Sequence, residues 1–508
     1  MSTETRRSRG QQRKLYRTPI SYFMEHGLDL GLAADQYGAT MAYAWWKHGL
    51  HNRQSVFNWF FRENPFGGGY TTFLGLAAIQ EFLERVRFTD ESLDYLAMLN
   101  GRDGKPLFPD DGFFDFLSKS KVEITIDAFA EGSVCFPRQP VVRFRGPVWQ
   151  IQFWEGFFLN QLNFWTLIGT KTARMVDQAN GKPISESGFR RAQGLDGHLT
   201  AALASYCAGA AGTSNLLAGM LFGLPTYGTH AHSWVLFHGS NRPAFQSYAE
   251  ALPNNAVFLV DTFDTLEGVL VAIEVAKLMR SMGHELFGIR LDSGDLSWLS
   301  KEARKLLNEA GFKDVKILAS DRLNEFKIAQ HEREGSMIDI YAPGTELATG
   351  GKDSALGGVL KLVAVENEQG VLQDRIKLSS DPAKITIPGL LNTRRFVGPD
   401  GKYIGDAIFD ERHGMHKGGG FIVDPANFAA SKKIPADATF VDKLQRSFEN
   451  GRACNMASIE QVRSVVPSQV RCLDETIRRM QDPHIYPAGV SQQVDENVRR
   501  LILAARGA

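Results

Sequence analysis

Four short apolar runs follow one another between Ala256 and Thr345, and each ends in small, polar or acidic residues. Run 256–260 leads into Asp261-Thr262, and run 286–289 into Arg290-Leu291-Asp292-Ser293-Gly294-Asp295. Run 315–319 leads into Ser320-Asp321, and run 338–341 towards Gly344-Thr345. Segments with helical apolar spacing, 266–282, 298–310 and 323–334, separate them. Short apolar strands alternating with helices predict parallel βα units. In a parallel α/β barrel the carboxyl ends of the strands converge on one face, where the active site lies. Packing alone does not call for Asp, Ser, Gly and Thr at four successive strand ends, so the pattern predicts an enzyme.

The chain has 508 residues, too many for one ordinary core, so two or three domains are expected. A basic tail over 1–17 lacks the apolar stretch of a signal peptide and reads as disordered. An N-terminal α/β domain is expected over 18–152, with β-rich runs at 122–144 forming an antiparallel sheet. An irregular, TIM-like α/β barrel carrying the active site is expected over 153–364, opening with a long helix at 153–179. Segment 365–508 completes the smaller domain, with β-like runs at 375–378 and 384–387 and a helical tail at 490–506.

Lys+Arg and Asp+Glu number 57 each, a formal net charge of +0, which predicts no nucleic-acid partner and makes any anion site local. Cys135, Cys207, Cys454 and Cys472 form no CxxC pair, which points to a reducing compartment rather than to a zinc knuckle or disulfide framework. No apolar run reaches the length of a membrane span.

Three polar stretches stand apart from this frame. Gly228-Thr229-His230-Ala231-His232-Ser233-Trp234 reads as a loop entering a strand, with two imidazoles suited to holding a metal, relaying a proton or taking a phosphoryl group. Glu186 to Gly194 sets Arg190 and Arg191 between small residues, and arginine suits bidentate contact with phosphate or carboxylate. Arg62 precedes Pro65 and three glycines, a backbone able to approach a ligand.

Taken in order, these motifs resemble the nicotinate phosphoribosyltransferases, type II phosphoribosyltransferases of NAD biosynthesis. The likeness runs from about Leu28 to Leu501. It rests on Asp35-Gln36-Tyr37, Phe61-Arg62 through Tyr70, Glu186 to Gly197, Gly212-Thr213-Ser214-Asn215 and Gly228-Thr229 through Ser233. It continues with Asp261 to Thr265, Arg290 to Asp295, Ser320-Asp321, Gly344-Thr345, Lys384 through Pro388-Gly389 and Pro483 to Pro487. Three positions depart: Gln139 stands for the usual glutamate, Gly156 for the usual threonine, and His230 occupies a variable position to which no role is given.

The resemblance implies a cytoplasmic homodimer with shared active sites. It joins nicotinate to phosphoribosyl pyrophosphate with Mg2+ and with ATP as co-substrate, ATP hydrolysis passing through a phosphohistidine. It assigns phosphorylation to His232, with Asp261 fixing that ring, and places Asp292 at the ribose or its metal-bound pyrophosphate. Tyr37 of the partner and Phe189 sandwich the pyridine, while Arg190 and Arg290 line the base and phosphate region. Ser320, Asp321, Gly344 and Thr345 hold the 5-phosphate, and Arg62, Lys377 and Lys384 hold pyrophosphate or ATP phosphates. Which residues touch the metal is left open, Asp292 being the candidate. The rival is a nicotinamide phosphoribosyltransferase, in which an aspartate stands at the position of Ser214; serine avoids repelling a substrate carboxylate.

Overall fold

The four expected strands form one parallel sheet in the order Val257–Leu259, Gly288–Leu291, Lys316–Ala319, Ile340–Tyr341. This computed structural model describes residue 6 and residues 13–381, 384–415, 420–424 and 427–507. The intervening helices are Thr265–Ser281, Leu296–Glu309 and Glu325–Arg333. Each starts at an acid or amide, Asp264, Asp295 or Asn324, whose side chain accepts a first-turn N–H that has no helical partner.

The parallel array extends beyond this sheet. Tyr341 bridges Ile184, Ser185–Glu186 pairs with Gly212–Thr213, and Thr213 bridges Thr226. No ladder among the described residues joins the stretch after Thr226 back to Val257–Leu259, so the strands do not close into a barrel. The stretch around 228–234 was expected to enter a strand. Instead Ala231 is extended and helix His232–His238 begins, ended by Gly239 at φ +77.

The chain divides into two compact units, 1–15 with 171–354, and 16–170 with 355–508. These limits differ from 153 and 364 for physical reasons. Helix Glu155–Gln178 contributes its first sixteen residues to the second unit. Strand Gly358–Glu366 pairs antiparallel with Gln54–Phe61 in that unit. Of the expected tail, residues 1–5 and 7–12 lie outside the described residues. Arg13 donates to the carbonyls of Met220 (2.9 Å) and Gly219 (3.3 Å).

Among the described residues the second unit holds, beside a small sheet of Thr71–Thr72 with Val134–Cys135, two large ones. One is antiparallel throughout, in the order Leu372–Asp374, Gly358–Glu366, Gln54–Phe61, Val142–Pro147, Thr125–Ala128, Gln445–Glu449, Arg452–Ala453. The other, Asn427–Lys433, Phe421–Asp424, Ala488–Val490, Tyr403–Asp410, Leu391–Val397, Thr439–Asp442, is not foreseen by the sequence. Charge inside its strands hides it. Arg395 and Asp406 are fully buried and paired at 2.6 Å. Tyr486 Oη donates to Asp406 (2.8 Å), as does Gln139 Nε2 (2.6 Å). The expected runs 375–378 and 384–387 form no strands.

Two family departures have packing reasons. A glutamate at Gln139 would set a second carboxylate against Asp406. A Cβ at Gly156 would meet the Asp35 carboxylate at 2.8 Å.

Breaking a buried pair from one side leaves an uncompensated charge, at about 3–5 kcal/mol. Arg395→Met is therefore expected to destabilise the fold by about 3 kcal/mol or more. Urea unfolding would read this as a lower midpoint at unchanged slope; a midpoint equal to wild type would contradict it.

Candidate active site

Asp261 follows strand Val257–Leu259 and is buried. Its Oδ2 accepts the Asp292 backbone N–H (3.0 Å) and the Ser293 hydroxyl (2.6 Å), so one strand end is tied to the next. Asp292 Oδ1 accepts the Ser320 hydroxyl from the third strand end. Arg290 NH1 donates to Thr229 Oγ1 (2.7 Å) and the His230 carbonyl (3.3 Å), and its NH2 lies 3.9 Å from Asp292. Burial lowers the Arg290 pKa, opposed by the neighbouring carboxylates of Asp292 and Asp261. Arg190 contributes a second positive charge nearby.

His232 stands at the start of its helix with its side chain 41% exposed. Nδ1 lies 3.0 Å from Thr262 Oγ1. Nε2 faces Asp292 at 3.5 Å and Asp261 at 4.0 Å. The orienting group on Nδ1 is thus a hydroxyl rather than the carboxylate of Asp261. Asp261 Oδ1 is buried with no hydrogen-bond partner among the described residues.

Beside these strand ends lies a saturated network. Glu186, wholly buried, accepts from the Gly188 N–H, from His198 Nε2 (3.0 Å) and from the Thr213 hydroxyl (2.6 Å). Asn215 Nδ2 lies 2.9 Å from His198 Nδ1. The Ser214 N–H donates to the Glu186 carbonyl (2.9 Å). Phe189, 47% exposed, meets the His198 ring edge-on at 5.1 Å. A Cβ at Gly188 would meet Ala348 at 2.3 Å and the Gly344 carbonyl at 2.7 Å, so only glycine lets this turn approach Gly344-Thr345.

Asp321 and Arg322 adopt φ +87 and +38, a strained pair for residues other than glycine. Their N–H groups, with those of Gly344 and Thr345, meet no acceptor among the described residues. Asp321, Arg322, Gly344 and Thr345 therefore bring uncommitted N–H donors to two consecutive strand ends, whereas the N–H and hydroxyl of Ser320 are engaged by Leu291 and Asp292.

In the second unit Tyr37 donates to Glu155 (3.1 Å), and burial beside that carboxylate raises its pKa to about 12. Burial lowers the Lys361 pKa, with Glu155, Lys377 and Arg62 as its charged neighbours. Tyr37, Arg62 and Lys377 thus share one neighbourhood, while Lys384 pairs with Asp381 at 3.3 Å.

Sequence reasoning named Thr262 and Glu186 within motifs but gave them no role, and did not single out His198 or Lys361. A lone imidazole within the apolar helix Gly194–Cys207 signals a buried partner. Lys361 gives no such signal, because it reads as an exposed strand residue.

Glu186→Leu would strand three donors, at about 1–3 kcal/mol each. Its thermal midpoint is expected to fall further than that of Glu186→Gln, whose amide oxygen still accepts. Equal midpoints for the two variants would refute the network.

Comparison with known proteins gives a consistent set of relatives. The family models for the N-terminal and C-terminal domains of nicotinate phosphoribosyltransferase match residues 32–163 and 392–497. The nicotinate phosphoribosyltransferase of Bacillus subtilis is 36% identical over 486 residues, 93% of this chain and 96% of that one. That of Dictyostelium discoideum is 34% identical over 94% of this chain and 89% of its own. The crystal structure of human nicotinic acid phosphoribosyltransferase matches with a TM-score of 0.80 at 28% identity, covering 92% of this chain and 99% of that chain.

Proposed function

The chain belongs to the nicotinate phosphoribosyltransferase family and is a phosphoribosyltransferase acting on nicotinate, and we propose how its own residues carry this out. One observation carries the reading: Arg290, Asp292, Asp261 and His232 converge at successive strand ends, with separations of 3.5–4.0 Å.

The pyridine nitrogen attacks the ribose carbon with its lone pair, and the bond to pyrophosphate breaks with its electrons. That nitrogen has no proton to lose, so the site needs no general base. It needs negative charge at the cationic sugar, which Asp292 supplies, and positive charge at the leaving group, supplied by Arg290 and Arg190. The uncommitted N–H groups of Asp321, Arg322, Gly344 and Thr345, beside Ser320, take the 5-phosphate. Phe189 stacks on the pyridine, and Ser214 faces its carboxylate without repelling it. Tyr37, Arg62, Lys377 and Lys384 serve the site of a second copy in a homodimer.

The donor set suits Mg2+. Among the described residues no group of three His, Cys, Asp or Glu forms a full ligand set. Mg2+ characteristically needs only one or two carboxylates beside phosphates and water, and Asp292 backed by the unsatisfied Asp261 offers them. When bound it neutralises phosphate charge.

ATP phosphorylates His232. The Thr262 hydroxyl accepts the Nδ1 proton, which leaves the Nε2 lone pair free to attack the γ-phosphorus as the bond to ADP breaks. The carboxylates facing Nε2 stabilise the developing imidazolium and then repel the phosphoryl group. Among the described residues no helix is long and apolar enough to cross a membrane. Four free cysteines support a reducing, cytoplasmic setting.

Wild type is expected to release pyrophosphate from phosphoribosyl pyrophosphate when nicotinate is added; no release would overturn the reading. Ser214→Asp is expected to lower the ratio of nicotinate to nicotinamide efficiency by about tenfold or more, and an unchanged ratio would remove Ser214 from the base pocket.

His232→Ala is expected to abolish ATP stimulation while slow ATP-independent synthesis continues. With γ-labelled ATP, wild type gains acid-labile, base-stable phosphate and the variant gains none. Equal labelling of both would move the acceptor elsewhere.

A further inference from the structure

The parallel array leaves one seam, and a side chain fills it. The outer N–H of Leu259 on strand Val257–Leu259 has no neighbouring strand to receive it. It donates instead to His230 Nε2 at 3.2 Å. The next amide, Val260, turns inward to the Arg290 carbonyl at 3.2 Å, as strand alternation requires.

His230 is 7% exposed. Its ring lies edge-on to Tyr248 at 5.1 Å and tilted against Phe245 at 6.0 Å, and Phe245 stacks on Phe258 of the same strand at 4.6 Å. Its carbonyl receives Arg290 NH1, which also reaches the adjacent Thr229 hydroxyl. Two residues on stands His232.

We infer that His230 is a positioning residue: its imidazole takes the place of a strand carbonyl at the open seam, and so fixes Arg290 and His232 at the site. An acceptor for a backbone N–H must be unprotonated, so the ring hydrogen sits on Nδ1, which faces the Ala231 carbonyl at 3.4 Å. Tyr248, Arg290 and His232 are the titratable groups about it. Burial holds the imidazole neutral, its pKa down at about 4.

The contact to Leu259 stands on geometry alone, while the positioning of Arg290 and His232 for reaction rests on the function proposed above. The test uses the full chain with two variants. His230→Gln keeps an acceptor, and His230→Leu keeps bulk without one. Hydrogen exchange at the Leu259 amide is expected to speed up about tenfold in His230→Leu and to stay near wild type in His230→Gln. Without ATP, His230→Leu is expected to raise KM for phosphoribosyl pyrophosphate about tenfold with a smaller change in kcat, through the loosened Arg290, and His230→Gln to restore it. Unchanged Leu259 exchange in His230→Leu, or equal defects in both variants, would overturn the inference. Absence of labelled phosphate on wild type would overturn the phosphohistidine reading alone, leaving these two readouts to decide the role of His230.

Discussion

The carboxylate of Asp261 is the constraint from which the site follows. A parallel sheet satisfies its strands through the ladder but leaves the loops beyond its carboxyl edge without partners. Asp261 supplies them by receiving the Asp292 amide and the Ser293 hydroxyl of the next strand end. Asp292 repeats the device one strand further with Ser320, and Thr262 holds the His232 ring. Two acidic groups and a partly buried guanidinium are held in place by these bonds. In the mechanism proposed above, charges already in place do not have to reorganise when the sugar becomes cationic.

One polar network beside the strand ends is fully paired. Glu186, His198, Thr213 and Asn215 bond mutually, and they support the turn bearing Phe189. Arg395 and Asp406 are bound to each other, with Gln139 and Tyr486 completing the carboxylate, while Arg395 Nη1 has no hydrogen-bond partner among the described residues. Asp261 Oδ1, Arg290 Nε and the amides of Asp321 and Arg322 lack partners among the described residues. Burying an unsatisfied polar atom costs free energy, so Asp261 Oδ1 and Arg290 Nε at neighbouring strand ends suit a charged ligand.

The parallel strands and their polar ends were legible because they combine short apolar runs with amphipathic helices, the strongest signals a sequence carries. The six-stranded sheet was not, because Arg394, Arg395 and Asp406 interrupt the alternation of Leu391–Val397 and Tyr403–Asp410. Pairing across a sheet cancels those charges, and a linear reading cannot see the partner. Among site residues, Asp261, Arg290, Asp292 and His232 showed as polar groups at strand ends or in a short histidine motif. Thr262 showed only as part of a polar strand end, and His198 not at all, because their roles lie in hydrogen bonds to Glu186, Asn215 and His232, which a linear reading cannot place. The helix found at His232 in place of the expected strand is closed by Gly239, whose left-handed backbone donates its N–H to the Leu236 carbonyl.

The division of the chain also bears on its synthesis. Strand Gln54–Phe61 lies between Val142–Pro147 and Gly358–Glu366, so one of its edges receives a partner made roughly 300 residues later. At about 5–20 residues per second, that edge waits on the order of 15–60 s on the ribosome. An open edge rich in Phe and Trp is a template for pairing with other chains. Residues 171–354 are made within the same interval and end just before that strand begins, so the open edge persists while the whole of the other unit is being synthesised.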